Sequence, residues 1–346
     1  MESDLSLTAS GSLRQIGFGN CGSVWGTLKH NAHNNASVDQ NVDVDMILKR
    51  EDASPGRDIK NETLVQSQAF RAASTLQLTS IPQCFGLVKS DDKRWQQLLP
   101  LLPSGLKACR AMIAEKINPV STQAQLLLID KYCPAPHREA LRRSIEARDG
   151  EGEHCLVRLY LGRRRHLYAH EEQHRPRPQF FSLRNYPLHA DQAHDLGLPC
   201  RQYARAMAEA LATLHWQVRT SGNDVEFVLG AHRGGEGDAD MPLEEHAVWM
   251  LDFDCSRPIE ANDSGLESIA RAFWRNDPYF PRPGSALDQG RELWDIFAAE
   301  YRRVGMEAAR AYHRDGEDVE SLCALVEGAL ERIEETKGKW TAGAHF

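Results

Sequence analysis

Residues 16–25 are I-G-F-G-N-C-G-S-V-W, and the three glycines in this stretch decide the fold that we predict for the chain. Gly17, Gly19 and Gly22 have the spacing G-x-G-x-x-G. Because glycines let backbone N–H groups approach an anion closely, this spacing is typical of loops that hold phosphates. Residues 12–29 alternate around the glycines, which predicts two strands joined by a tight turn.

A lysine and a glutamate follow at positions that strengthen this interpretation. The run V-D-V-D-M-I-L-K-R predicts a third strand that ends at Lys49. Residues 58–73 have helical spacing, with Leu64 and the Ala69–Phe70 pair on one side, and Glu62 lies in the first half. Both side chains would lie at the surface in the simpler interpretation. Their order and spacing favour a lysine that contacts phosphates and a glutamate that pairs with it.

Two pairs of carboxylates lie at the ends of two later predicted strands. Asp224 and Glu226 open the strand V-E-F-V-L-G, and Asp252 and Asp254 follow the apolar run V-W-M-L. An aspartate that leaves an apolar strand costs several kcal/mol if it is buried unpaired. We therefore expect Asp252 to face a cation, a metal or a cleft rich in donors, rather than only to cap the next turn.

The order strand, strand, strand, helix, strand, strand is that of the small lobe of a protein kinase. Helical patterns follow at 201–216, 264–275, 287–313 and 317–336. We predict an α+β, protein-kinase-like two-lobe fold with a small β-rich N-lobe containing one helix (1–120) and a larger, mostly helical C-lobe (121–346). The C-lobe includes an insertion at 134–186, which begins as a loop at 134–153 and contains a basic β-hairpin.

The catalytic centre departs from that of a kinase. A kinase needs an aspartate that orients the acceptor hydroxyl and, five residues later, a metal-binding asparagine. If Glu226 takes the place of the asparagine, the base position falls on Ser221, which cannot do this work. Four carboxylates that open toward one cleft repel one another unless a metal, an ammonium or a guanidinium lies among them. A guanidinium binds carboxylates bidentately and never loses its proton.

Charge is distributed unevenly along the chain. The formal net charge of −8 argues against a nucleic-acid partner for the protein as a whole. Between residues 158 and 184, however, seven arginines stand against two glutamates, which is 7 − 2 = +5. A solvated loop is one interpretation of such a run, and a patch for phosphates is the other.

Cysteine usage and the first residues predict a protein of the cytosol or the nucleus, and we expect it to be cytoplasmic. The eight cysteines occur singly, which indicates reduced thiols rather than disulfides or a zinc site. His166, His170 and His174 recur every four residues, but no cysteine lies in register with them. The polar start is unlike a secretory signal, and no apolar run reaches membrane-spanning length.

Several phrases together resemble a fungal family of kinase-like proteins that has carried the label "zinc-finger protein-like". They are R-L-Y-L-G-R-R-R, F-F-S-L-R-N-Y-P-L, N-D-V-E-F-V-L-G, W-M-L-D-F-D and N-D-P-Y-F-P-R-P. The family includes arginine-containing cyclodipeptide synthases, which take Arg and a second amino acid from charged tRNAs and close a diketopiperazine. The zinc-finger label has no ligand spacing to support it in this chain.

The resemblance implies a tRNA-dependent transferase that needs no cofactor, because aminoacyl esters are already activated. Asp224 or Glu226 would deprotonate the attacking amine, and Asp252 and Asp254 would hold the arginine guanidinium, although these roles are exchangeable on chemical grounds. Asn223 stands where relatives tend to have a further acid.

The implied partners are Arg-tRNA and a second aminoacyl-tRNA, with no membrane and no DNA. The tRNA phosphates would contact five arginines, Arg158, Arg163, Arg164, Arg165 and Arg184. The acceptor end would lie on the glycine loop, Gly17, Gly19 and Gly22, together with Lys49. The alternatives are a kinase that binds Mg–ATP with displaced catalytic residues, or an inactive pseudokinase scaffold.

Overall fold

The first sheet is antiparallel and contains the glycine loop as a hairpin. The computed structural model of the chain describes residues 7–8, 12–19, 21–30, 45–53, 57–147, 152, 154–165, 181–234 and 240–339. The strands of this sheet are β1 (Leu7–Thr8), β2 (Arg14–Phe18), β3 (Ser23–His30), β4 (Met46–Arg50), β6 (Cys84–Val88) and β7 (Ala111–Glu115). Their order is β1-β3-β4-β7-β6, and β2 pairs with β3 as the sequence predicts.

The second sheet has five strands and corrects one prediction. It contains β5 (Thr79–Ser80), β8 (Val157–Tyr160), β9 (Tyr186–His189), β10 (Glu226–Gly230) and β11 (Ala247–Leu251), in the order β5-β11-β10-β8-β9. The predicted basic β-hairpin is wrong, because β8 and β9 run parallel. Parallel neighbours need a crossover of roughly a dozen residues or more, and the segment 161–185 is long enough to provide one.

Nine helices in the described residues complete a mixed α+β fold. They are α1 (Ile59–Ala72), α2 (Trp95–Leu98), α3 (Thr122–Tyr132), α4 (Ala135–Glu146), α5 (Ala190–Asp195), α6 (Cys200–Thr213), α7 (Asp263–Arg275), α8 (Asp288–Ala311) and α9 (Val319–Glu335). The periodic patterns predicted α6 to α9 within a few residues. The predicted loop at 134–153 is wrong, since α4 occupies most of it. Pro136 lies in the first turn of α4, where a missing N–H breaks no helical hydrogen bond.

Helix α1 joins the cores beneath the two sheets. The Asp58 carboxylate caps its start by accepting from the backbone N–H groups of the next turn. Ile59 packs with residues of the first sheet, while Val65 and Ala69 belong to the large core under the second sheet. Leu64 is 56% exposed whereas Ala69 is fully buried, so the prediction that places them on one side of the helix is wrong. The helix instead buries the stripe that contains Ile59, Glu62, Val65 and Ala69.

Sheet membership does not follow the predicted division at residues 120 and 121. Strand β5 precedes that boundary but pairs with β11 of the second sheet. The division of the chain into two domains therefore remains a prediction, which rests on the order of elements along the chain. No helix among the described residues is long and apolar enough to cross a membrane.

A buried hydrogen-bond network anchors the loop that leads into β10. Helix α6 ends in a π-turn at Leu214–Val218, and the Tyr301 hydroxyl accepts a hydrogen bond from Trp216 Nε1 at 3.0 Å. The same hydroxyl lies 2.7 Å from His215 Nδ1, and His215 Nε2 lies 3.2 Å from the Ser221 carbonyl oxygen. Burial lowers the pKa of His215 to about 3. The neutral ring therefore accepts from Tyr301 and donates to Ser221.

We expect Tyr301→Phe to reduce the free energy of unfolding by about 2–4 kcal/mol. The change leaves Trp216 Nε1 and His215 Nδ1 buried without partners, and each such group costs roughly 1–3 kcal/mol. Urea denaturation measures the loss. The control is Tyr312→Phe, because Tyr312 is 42% exposed. Equal stabilities of the two variants would contradict the network.

Candidate functional site

A cleft of about 400 Å³ lies between the two sheets. Its walls come from the glycine hairpin, from β4 and α1, and from the strand ends that carry the four predicted carboxylates. The charged or polar predicted residues that line it are Lys49, Glu62, Arg158, Arg184, Asp224, Glu226, Asp252 and Asp254. Residues more than 200 positions apart therefore meet at one site.

The glycine hairpin forms one wall of the cleft. Gly17, Gly19 and Gly22 all line it, and Gly19 N–H donates to the Gly22 carbonyl oxygen at 2.9 Å. A Cβ atom on Gly22 would lie 2.0 Å from the Arg50 carbonyl oxygen, so the close approach of the two strands requires glycine here. Phe18 projects from the hairpin and is 70% exposed. Asn20 lies outside the described residues.

Lys49 connects the first sheet to α1 and to the turn after β11. Its ammonium lies 2.6 Å from Glu62 Oε1 and 3.0 Å from Asp252 Oδ1. Burial lowers the pKa of Lys49, but the attraction of Asp252 and Glu62 outweighs burial and raises it well above its usual value. Asp252 has a left-handed backbone with φ 66°. The pairing of Lys49 and Glu62 agrees with the spacing in the sequence.

Glu226 opens β10 and pairs with Arg158 on the neighbouring strand β8. The two side chains meet at 2.9 Å. Burial raises the pKa of Glu226 to about 7, although Arg158 acts to lower it. Tyr279 lies beside this pair, and burial together with the charge of Glu226 raises the pKa of its hydroxyl. Glu226 is therefore a carboxylate poised to exchange a proton near neutral pH.

Arg57 occupies the centre of the remaining acidic group. Its Nη1 lies 2.9 Å from Asp224 Oδ2 and within 3.0 Å of both carboxylate oxygens of Asp254. The Asp254 side chain is 1% exposed, whereas that of Asp224 is 51% exposed. Burial and the charge of Asp252 raise the pKa of Asp254, while Lys49 and Arg57 lower it. A guanidinium thus bridges one buried and one accessible carboxylate.

The four carboxylates line one cleft, but they do not share one cation. Asp252 pairs with Lys49, Glu226 with Arg158, and Asp224 and Asp254 with Arg57. The protein's own basic side chains therefore supply the cations that the sequence requires. Which carboxylate acts as the base and which pair holds a guanidinium remain predictions.

Two important residues escaped the sequence analysis. Arg57 stands in a polar stretch directly before the helix cap, where nothing in the local pattern marks it. Asn276 accepts from the backbone N–H of Asp224 and donates to the Gly222 carbonyl oxygen, and it is 5% exposed. It holds Asp224 in a left-handed conformation with φ 66°. The sequence feature that could have identified Asn276 is its position as the first residue of the phrase N-D-P-Y-F-P-R-P.

Ser221, at the position of the kinase base, does not line the cleft. It is 6% exposed, and its hydroxyl accepts from the backbone N–H of Arg257 at 3.3 Å. Its carbonyl belongs to the His215 network. The hydrogen bond of the Ser221 hydroxyl is therefore made within the loop, in agreement with the prediction that Ser221 cannot act as a base.

The five predicted tRNA-binding arginines separate into two places. Arg158 and Arg184 line the acidic cleft, whereas Arg163 and Arg164 line a second, larger cavity. Arg165 is exposed, and its backbone N–H donates to Asp191. The three histidines and two arginines of the stretch 166–180 lie outside the described residues.

Residues 248–313 match the sequence model of a family described as "Zinc finger protein". The match covers the two aspartates after β11 and helix α7, and its description agrees with the label of the family that the phrases resemble. Comparisons with curated proteins and with solved structures give no match.

The matched segment does not fit a zinc finger. Such a site takes four cysteine or histidine ligands, and residues 248–313 contain only Cys255 and His313. Within the described residues, the one group with suitable ligand spacing is Asp224, Asp254 and Cys255. Arg57 contacts all three of these side chains. The guanidinium of Arg57 forms ion pairs with the two carboxylates, so this group has the arrangement of an ion pair rather than of a metal site.

We expect Lys49→Met to destabilise the protein by about 3–5 kcal/mol at pH 8, the usual cost of removing one partner from a buried ion pair. Burial raises the pKa of Glu62 and Lys49 lowers it, so the variant's Glu62 takes up a proton more readily. The penalty therefore shrinks as the pH falls from the raised Glu62 pKa of the variant to that of the wild type, about 7, because the unfolded states are alike.

Urea denaturation of this variant at pH 8 and pH 5.5 measures the penalty. Lys60→Met is the control, because Lys60 is an exposed lysine on the same helix. A penalty that is independent of pH would contradict the coupling between Lys49 and Glu62.

Proposed function

We propose that the chain is a tRNA-dependent synthase of arginine-containing cyclodipeptides, built on a protein-kinase-like two-lobe fold. The observation that carries this proposal is a guanidinium held between Asp224 and Asp254, next to a carboxylate whose pKa is near 7. In this proposal, the two aspartates would bind the guanidinium of a substrate arginine, and the neighbouring carboxylate would accept a proton from an amine.

The kinase-like part of the proposal rests on the order of elements around the cleft. A glycine hairpin, the pair of Lys49 and Glu62, and Asp252 after an apolar strand succeed one another as in a kinase. The missing acceptor base at Ser221 argues for different chemistry in the same cleft.

Arg57 supports the guanidinium subsite because it is itself an arginine in that place. A substrate arginine that enters here exchanges one guanidinium for another and leaves no carboxylate buried without a partner. Since Asp254 is buried and Asp224 is half exposed, the incoming side chain meets Asp224 first. This geometry favours Asp224 and Asp254, rather than Asp252 and Asp254, as the pair that binds arginine.

Glu226 is the base in this scheme. It removes a proton from the α-amine of one aminoacyl ester, and that amine attacks the ester carbonyl of the other. A C–N bond forms, the ester C–O bond breaks, and the tRNA hydroxyl leaves with a proton. The second amine repeats the step on the remaining ester and closes the ring. An α-amine has a pKa of about 8, close enough to that of Glu226 for efficient transfer.

The proposed partners are Arg-tRNA and a second aminoacyl-tRNA in the cytoplasm, with no cofactor. Backbone N–H groups of the glycine hairpin would approach the acceptor-end phosphates. Lys49 already contacts two carboxylates, so it contributes to that site mainly through its charge.

The first test is mass spectrometry of extracts from a heterologous host that expresses the chain. We expect a new ion at the mass of cyclo-Arg-Xaa, absent with empty vector and with Glu226→Gln. Glu331→Gln changes an exposed glutamate of α9 and keeps the product. Soluble wild-type protein without the ion would overturn the proposal.

The purified enzyme should lose activity as the pH falls through about 7. Glu226 must be ionised to accept the proton, and its folded pKa lies above the usual value for glutamate, so the active form disappears on the acid side. Initial rates between pH 5.5 and 8.5 on preformed aminoacyl-tRNA give the profile. An acid limb near 4.5 would remove Glu226 from this role.

The guanidinium subsite has its own test with arginine methyl ester, a small mimic of the aminoacyl end. Removal of the competing side chain in Arg57→Ala should increase thermal stabilisation by this ester relative to wild type. A ligand at 100 times its Kd stabilises by about 2.7 kcal/mol. Citrulline methyl ester has a similar shape but no charge and should have little effect. Equal stabilisation by the two esters would contradict the subsite.

A second candidate is a kinase or a pseudokinase that binds Mg–ATP. The contacts of Lys49 with Glu62 and Asp252 favour it, because a kinase uses these residue types for phosphate and metal. Thermal stabilisation by Mg–ATP, together with no cyclodipeptide, would support this candidate.

A further inference from the structure

The cavity of about 930 Å³ that Arg163 and Arg164 line lies beside the acidic cleft and has a strongly basic lining. Its formally charged residues are six basic ones, Arg163, Arg164, Arg201, Arg205, Arg282 and Lys337, against one acid, Glu292. The lining charge is 6 − 1 = +5 in a protein whose net charge is −8. We infer that this basic groove binds the phosphate backbone of the tRNA whose aminoacyl end enters the cleft, an assignment that rests on the proposed function.

The charges come from separate chain segments that surround the groove. Arg201 and Arg205 lie one turn apart on α6, so their Cβ atoms are about 5–6 Å apart on one face. Lys337 follows α9 and donates to the Gly284 carbonyl oxygen at 2.7 Å. Cations spread around a concave surface match a chain of phosphates better than a single small anion.

Part of this charge is not neutralised within the protein. Among the described residues, the Arg205 side chain forms no hydrogen bond or ion pair, and it is exposed. Arg164 donates to the neutral amide oxygen of Gln289 at 3.1 Å. Arg163 and Arg282 share the single carboxylate of Asp277. Arg205 and Arg164 therefore bind phosphate oxygens without first breaking an internal ion pair.

Two chain segments connect the groove to the acidic cleft. Arg158 lines the cleft and Arg163 lines the groove; at roughly 3.3 Å per residue, the five steps along the chain between them span at most about 17 Å. The segment 278–282 runs alongside, because Leu161 N–H donates to the Tyr279 carbonyl oxygen at 3.0 Å.

The close contact of these segments leaves no room for a side chain. A Cβ atom on Gly162 would lie 2.4 Å from the Phe280 carbonyl oxygen. The segment that joins the groove to the cleft is therefore closely packed against residues 278–280 at Gly162.

The test uses fluorescence anisotropy of a labelled, deacylated tRNA with the full chain. We expect the double variant Arg164→Glu/Arg205→Glu to weaken binding at least tenfold. Each lost phosphate contact lowers the slope of log Kd against log salt by about one, so the slope should fall by about two. The single change Arg205→Gln removes one positive charge without adding a negative one. It should also weaken binding, but less than the double variant does.

The matched control is Arg310→Glu/Arg314→Glu, which makes the same change in net charge on exposed arginines. Arg310 lies twenty residues along α8 from Gly290 of the groove, about 30 Å at 1.5 Å per residue. We expect its Kd to stay within twofold of wild type. Equal weakening by both double variants would overturn the assignment to the groove.

Two further outcomes separate the groove from the proposed function. If wild type forms cyclodipeptide while the groove variant keeps its Kd for tRNA and its KM for aminoacyl-tRNA, the groove assignment falls and the function stands. If wild type forms no product but the groove variant loses tRNA binding, the groove assignment stands and the function falls. Competition by poly-glutamate as strong as that by tRNA, at equal ionic strength, would overturn the RNA partner in favour of an acidic protein.

Discussion

The two ion pairs of the Lys49 ammonium are the interactions on which the rest of the site depends. The ammonium joins strand β4 to helix α1 through Glu62 and reaches the turn after β11 through Asp252. Helix α1 in turn packs into the cores beneath both sheets. A single, partly buried cation therefore links the two walls of the cleft. Removing one member of such a group leaves an uncompensated charge rather than a mere gap.

Every predicted acid in the cleft is paired with one of the protein's own basic side chains, and this arrangement determines what kind of ligand the cleft favours. Carboxylates that are already paired with cations disfavour neutral ligands. A neutral ligand that displaced a cation would leave a carboxylate without a charged partner. A ligand that brings its own guanidinium replaces one ion pair by another and meets no such penalty. Under the proposed function, selectivity for a cationic amino acid would follow from this exchange, and competition from Arg57 would limit the affinity. The neighbouring pair of Glu226 and Arg158 is chemically distinct, since burial has brought the carboxylate pKa close to neutrality.

Local patterns were enough to predict the parts of the molecule that local forces determine. Glycine spacing, strand periodicity and helical stripes located the hairpin, Lys49, Glu62 and helices α6 to α9, because each depends on neighbours along the chain. The parallel pairing of β8 with β9 depends on partners across the sheet, and alternation does not encode direction. Arg57 shows the same limit at the site. Its role is defined by aspartates more than 160 positions away, and its own neighbourhood resembles any polar turn. The charge run 158–184 was visible in the sequence, but its division between a cleft and a groove was not.

The left-handed backbones of Asp224 and Asp252, both with φ 66°, carry a consequence for the evolution of this fold. A residue with a side chain costs on the order of 1 kcal/mol in that conformation, and glycine removes the cost. At Asp224, whose loss leaves Arg57 paired with Asp254, a change to glycine would remove this cost and lose the accessible carboxylate. At Asp252 the same change would also take a partner from Lys49, so it costs stability as well. Under the proposed function, glycine at position 224 would therefore mark a lineage that keeps the fold without the chemistry.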